Sequence, residues 1–157
     1  MFTKILIPTD GSPLSNQAAK RGIELAKTVN AEVLCVFIAR EAQNPAFDFS
    51  EIRLPQHVTH EEYMEAVDAA ARALMLPLRQ FAETNGIPFT KLIEVSNTTA
   101  SKIVQVAEEN ECDLIFMGSQ GSAGWASMLL GSVASKVVAM SQIPVTVYKV
   151  KKPAGLD

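Results

Sequence analysis

Apolar residues along this chain follow two rhythms. Short, nearly continuous runs rich in β-branched residues occur at "KILIP" (Lys4 to Pro8), "AEVLCVFI" (Ala31 to Ile38), "FTKLIEV", "LIFM" and "VTVYKV". Each has Gly, Pro, Asn, Asp or Ser at or near at least one end, as strands do. "AEVLCVFI" is apolar nearly throughout and is therefore expected to be covered on both faces. Between the runs, apolar residues recur every three or four positions, which is the helical period.

The first helix is predicted from Ser12 or Pro13, a capping serine followed by a proline suited to the first turn, with Ala18, Gly22, Leu25, Ala26 and Val29 on one face. The stretch from Ala39 to Val58 is irregular, with Pro45 and Pro55. Thr59 and Glu62 form a capping-box pattern that opens a long helix with Tyr63, Val67, Ala70, Leu74 and Leu78 inward. It ends near Gly86, and Pro77 is expected to kink or break it. "TTASKIVQVAEEN" is a threonine-capped helix with Ile103, Val106 and Ala107 inward, and a fourth helix spans Ser132 to Met140.

Strands alternating with helices, without a hairpin signal, specify an α/β fold: one domain over residues 1–157, with an open parallel five-stranded sheet and helices on both faces. An irregular insert falls at about 39–58 and a tail at about 151–157. Ligands of such sheets bind beyond the carboxyl ends of the strands. Two segments reach that edge, "TDGS" after the first strand and the long loop after the fourth.

That long loop carries the chemistry. Gly118 leaves the fourth strand, Gly121 follows, and Gly131-Ser132 stands at a helix start. Gly118 allows a turn, Gly121 lets a ligand approach the backbone, and the helix start offers N–H groups and a dipole to an anion. A loop whose glycines only turn the chain is the alternative. No Gly-Lys-Ser/Thr occurs, and the dinucleotide fingerprint, which belongs after the first strand, is also missing.

Charge sharpens this picture. The net charge is −3, against general nucleic-acid binding. Yet no Asp or Glu lies between Leu114 and Leu156, while Lys136, Lys149, Lys151 and Lys152 do, a balance suited to a small anion. No Lys or Arg lies between Ile103 and Ala134, so phosphates would be met by N–H groups and a divalent ion carried with the nucleotide. Cys35 and Cys112 fit neither a disulfide framework nor a metal pair. Without a signal-peptide pattern or a membrane-length apolar run, a cytoplasmic protein with buried thiols is expected.

Gly118-x2-Gly121-x9-Gly131-Ser132, preceded by "DLIFMG" and followed by a helix and "IPVTVY", resembles the ATP-binding signature of the universal stress protein family, and "ILIPTDGSPLS" resembles its first strand and acidic loop. The resemblance implies a Rossmann-like, adenine nucleotide alpha hydrolase-like fold and a stress-response regulator that binds ATP, or AMP or ADP, with Mg²⁺ or Mn²⁺. It implies that Asp10 reaches the ribose hydroxyls and that the Val36 backbone pairs with the adenine edge. Pro8, Thr9 and Met117 would line base and sugar, and Gly118, Gly121, Gly131, Ser132 and Val133 would hold ribose and phosphates. It also implies a homodimer through the last strand, Val145 to Val150. The family's Gly-x-Pro turn after the third strand is Ser96-Asn97-Thr98 here.

The same residues leave other functions open. A dimeric interaction module with an empty cleft is the second reading, and a slow ATPase or nucleotide transferase the third. His57 and His60 lack the further ligands of a metal site and read as a solvated helix start. Arg40, beyond the second strand, is a candidate phosphate cation, and Trp125 is expected to pack locally under the loop, to close down as a lid or to contact a partner. The loop after the first strand is not that of an ATP-pyrophosphatase, and Val95-Ser96-Asn97 lacks a receiver's phosphoacceptor aspartate.

Overall fold

The five apolar runs form one parallel sheet in the order β3-β2-β1-β4-β5. A computed structural model describes residues 1–41, 59–120 and 130–149. In chain order the elements are β1 (Lys4–Thr9), α1 (Pro13–Val29), β2 (Glu32–Ala39), α2 (His60–Thr84), β3 (Phe89–Val95), α3 (Thr99–Glu109), β4 (Leu114–Gly118), α4 (Ser132–Met140) and β5 (Val145–Tyr148).

Alternate strand residues point to opposite faces, which sorts the core into two layers. Ile5, Ile7, Val33, Cys35, Phe37, Leu114 and Phe116 pack with α1 and α2. Leu6, Leu34, Val36, Ile115 and Met117 pack with α3 and α4. Both cysteines are buried free thiols, and burial in apolar surroundings pushes Cys35 up to about 12. No described helix is long and apolar enough to cross a membrane.

Local signals set the helix ends. Ser12 accepts the Ser15 N–H to cap α1. Thr59 and Glu62 form the complete capping box of α2. Gly86, at φ +70, takes the left-handed turn after α2. Pro77 does not break α2, which runs unbroken for 25 residues. Pro77 and Ala73, one turn earlier, are both exposed, so water can take the carbonyl that the proline leaves without a donor. The fully buried stripe of α2 is Tyr63, Val67, Ala71, Met75, Leu78 and Ala82, with Ala70 and Leu74 half-buried beside it. In the last strand the ladder ends at Tyr148, and Val150 lies outside the described residues.

The amino ends of β1 and β4 are pinned by Asp113. Its carboxylate accepts the N–H of Thr3 at 2.8 Å, the Thr3 hydroxyl at 2.8 Å and the N–H of Lys4 at 3.0 Å. Burial pushes this carboxyl up, but the hydrogen bonds from Lys4 and Thr3 outweigh it, so its pKa lies below the usual value. A lowered folded pKa stabilises above the unfolded value and loses that contribution as pH falls through the folded one. Asp113→Asn is therefore expected to be less stable than wild type at pH 7. Urea titrations should show the gap closing as pH drops below about 4.

Candidate functional site

The chain leaves β1 toward β2 and β3 but leaves β4 toward β5, so β1 and β4 are neighbours whose crossovers diverge. This is the switch point of the sheet, where an open α/β fold has its crevice.

On the β1 side, Thr9, 6% exposed, organises the turn. Its hydroxyl donates to Asn16 Oδ1 at 3.2 Å and accepts from Ser15 Oγ at 2.9 Å and from the Gly11 N–H at 3.1 Å. Asp10 is exposed, and its Oδ1 accepts the Ser12 N–H at 2.9 Å. "TDGS" is thus an Asx turn that holds the carboxylate at the mouth of the crevice. Gly11 is required here: its φ is +79, and a Cβ would lie 2.7 Å from Leu74 Cδ2.

On the β4 side, the backbone returns close to where it left. The Gly131 N–H donates to the Ser119 carbonyl at 2.6 Å, and a Cβ on Gly131 would sit 2.9 Å from that oxygen. Gly131 is the N-cap of α4 and, having no side chain, provides no side-chain cap to the first-turn N–H groups that begin at Ser132. Ser132 is exposed, while Val133 packs on the α3–α4 layer. Gly118 does not take a left-handed turn; its lack of a Cβ instead fits Ala18 of α1, which a Cβ would approach to 3.2 Å. Met117 is buried below the crevice in the α3–α4 layer, and Pro8 is half-buried in β1.

The structure thus gathers Pro8, Thr9, Asp10, Met117, Gly118, Gly131, Ser132 and Val133 around one strand pair. Gly121, Trp125, His57, Lys151 and Lys152 lie outside the described residues. So does most of the expected insert, residues 42–58. Val36 requires a correction. It is fully buried, in register with Pro8 on one side and Leu92 on the other. Glu32 gives its N–H to Thr3 of β1 and Val33 gives its N–H to Pro88, so even positions of β2 face β1. The Val36 N–H and C=O are therefore committed to the β1 ladder. That ladder ends at Thr9↔Phe37, since Gly11 gives its N–H to the Thr9 hydroxyl. The β2 carbonyl that faces β1 beyond the ladder belongs to Ile38, two residues further on.

The helix of the third crossover also departs from expectation. Thr98 stands at the N-cap of α3 but makes no capping bond, because its hydroxyl and N–H both pair with Ser96 Oγ. Consequently α3 and α4, on one face, start without side-chain caps, whereas α1 and α2, on the other, are capped. Asn97 grips Glu41 through N–H and carboxylate at 3.1 and 3.0 Å, fixing the chain just past exposed Arg40. Sequence patterns carry no sign of this clamp, which joins residues far apart in the chain.

Two concavities lie away from this edge. One of about 280 Å³ sits between α2 and β3, and one of about 270 Å³ at the amino-terminal edge. Neither touches the switch point. No group of three or more His, Cys, Asp or Glu able to hold a metal occurs among the described residues.

A family model described as "Universal stress protein family" matches residues 1–149. The chain belongs to the universal stress protein family. It is 36% identical over 155 residues to universal stress protein MJ0531 of Methanocaldococcus jannaschii, covering 98% of this chain and 84% of that protein. The solved structure of MJ0577, from the same organism, superposes with a TM-score of 0.78 at 28% identity, covering 97% of this chain and 99% of that one. Two further structures share the fold. A universal stress protein in complex with cAMP has a TM-score of 0.66 at 21% identity, covering 94% and 97% of the two chains. The Archaeoglobus fulgidus universal stress protein in complex with dAMP has a TM-score of 0.62 at 17% identity, covering 93% and 97%.

Proposed function

We propose that this universal stress protein binds an adenine nucleotide, ATP with Mg²⁺ or Mn²⁺, in the crevice between β1 and β4 and signals its occupancy. The observation that carries this reading is the N-terminus of α4. It has no side-chain cap, lies at the switch point and is drawn against Ser119 with no room for a Cβ. Such a helix start attracts phosphate through N–H groups and dipole alike. Relatives of this fold solved with cAMP and dAMP support the choice of base.

In this reading Asp10 accepts the ribose hydroxyls from its Asx turn, and Thr9, Pro8 and Met117 back the sugar and base. The adenine edge meets the backbone at Ile38 rather than at Val36. Gly118, Gly131, Ser132 and Val133 hold ribose and phosphates, with Gly121 assigned to the same role from its motif. The divalent ion bridges phosphates and neutralises charge that this loop, poor in cations, leaves over.

Protein purified without added nucleotide, then denatured, is expected to release ATP or AMP near one per chain on chromatography with mass detection. An empty protein that also shows no heat of binding with Mg-ATP would sink the reading. Turnover of labelled ATP is expected to be slow at most.

A homodimer through the last strand accompanies this function. β5 is an edge strand with Val145 and Val147 half-buried, beside Val138 and Met140 of α4, each 47% exposed. An apolar edge of this kind favours a twin over water. Sedimentation of the same preparation is expected to give twice the chain mass.

A further inference from the structure

The β1–β2 ladder carries six registered pairs, Lys4↔Glu32 to Thr9↔Phe37, and β4 is registered with β5 from Ile115 to Gly118. Between β1 and β4 the register stops at Leu6↔Ile115, although β1 runs on to Thr9 and β4 to Gly118. The seam at the centre of the sheet is left unfinished on the side of the crevice.

Hydrogen-bond directions show why. Thr3 accepts from Glu32 of β2 and Lys4 accepts from Asp113 beside β4, so even positions of β1 face β4. Ile115 and Ser119 donate toward the β5 strand, at Pro144 and Tyr148, so even positions of β4 face β1. The next bond of the seam would run from the N–H of residue 8 to the carbonyl of Phe116. Residue 8 is proline, and that N–H does not exist. A proline in a central strand removes a ladder bond and is ordinarily confined to edges and bulges. Phe116, 5% exposed, keeps a carbonyl without its strand donor directly below Gly118. A defect of this kind in a core strand persists where function requires it.

We infer that Pro8 is a positioning residue: by withholding one N–H it keeps β1 and β4 from zipping toward Thr9 and Gly118, and so holds the crevice open for the nucleotide. This rests on the nucleotide reading above and adds what sets the width of that site. A residue with an N–H at position 8 completes the Ile7↔Phe116 step. It draws Thr9 and the Asp10 turn toward Gly118, narrowing the space at the helix start.

The test must separate the missing N–H from the missing ring. Full-length chains can be made by joining a synthetic 1–34 segment to residues 35–157 at Cys35, with proline, alanine or N-methylalanine at position 8. Alanine and N-methylalanine lack the ring alike, but only alanine supplies an N–H. Without nucleotide, the amide of the Pro8→Ala chain should be protected from exchange at least about a hundredfold relative to an unstructured chain. Its Mg-ATP affinity should fall roughly tenfold, the equivalent of one hydrogen bond turned against the ligand. The N-methylalanine chain loses the ring that backs the sugar and base but gains no N–H, so its loss of affinity should be clearly smaller than that of the alanine chain. Equal losses in both chains would assign the effect to ring contact and overturn the inference. An unprotected amide at position 8 would overturn it as well. A wild-type chain that takes up no nucleotide fails the reading of the site itself, and the proposal falls with it.

Discussion

Gly131→Val is expected to weaken the proposed Mg-ATP binding strongly while the sheet stays folded. The backbone at Gly131, φ −62 and ψ 163, is one that any residue adopts, so the obstacle is space and not conformation. A Cβ there would sit 2.9 Å from the Ser119 carbonyl oxygen, a backbone atom that no rotamer change can move aside. Either the 2.6 Å bond from Gly131 to Ser119 breaks or the start of α4 shifts, and the N–H groups proposed to meet phosphate move with it. Displacing two or three charge-assisted hydrogen bonds, each contributing about 1.5–3 kcal/mol, should weaken Mg-ATP by roughly a hundredfold or more. Calorimetry should show this with a melting temperature changed by only a few degrees. Unchanged affinity in a folded variant would mean that the helix start holds no phosphate.

The second large effect concerns the anchor of that helix. α4 has nine residues, too few to persist alone in water, and only Ala134 and Val137 are buried. Val137 is 0% exposed in the α3–α4 layer. Val137→Asp places a carboxylate in an apolar layer at a cost of roughly 3–5 kcal/mol, more than a nine-residue helix can offset. Urea unfolding should show that loss, and ATP binding should disappear with the docked helix. Val137→Ala should cost about 2 kcal/mol and keep the nucleotide, since the helix still seats. If Val137→Asp bound ATP normally, the proposed phosphate site would not depend on the core that seats α4.

Features set by neighbours in the chain could be read without a structure. Ser12, the Thr59–Glu62 box and the turn at Gly86 depend on a few consecutive residues, and each stands where the pattern placed it. The two-faced burial of β2 followed from its unbroken apolar run. What failed depended on residues far apart. Val36 was placed at the adenine edge because it lies in the right strand. Where that strand becomes available is set by Gly11, which turns its N–H to the Thr9 hydroxyl and ends the ladder two residues further on. The pattern expects a threonine cap on α3, but the threonine at the N-cap, Thr98, shares its hydroxyl with Ser96. Gly118 was read as a turn residue, whereas its constraint is Ala18, a hundred positions earlier. Of the kink or break expected at Pro77, the break does not occur, because the sequence does not say which helix face meets water.

The position of β1 bears on how the chain is made. Its partner β2 follows directly in the chain, but the Asp113 pin lies 110 residues from Thr3 and 109 from Lys4, and β4 follows it. On a ribosome adding roughly 5–20 residues per second, about 80 residues separate the end of β2 from that of β4. For on the order of 4–16 seconds, then, the strand destined for the centre is an exposed edge. Pro8 stands on that edge, with no N–H to offer a stray strand from a neighbouring nascent chain.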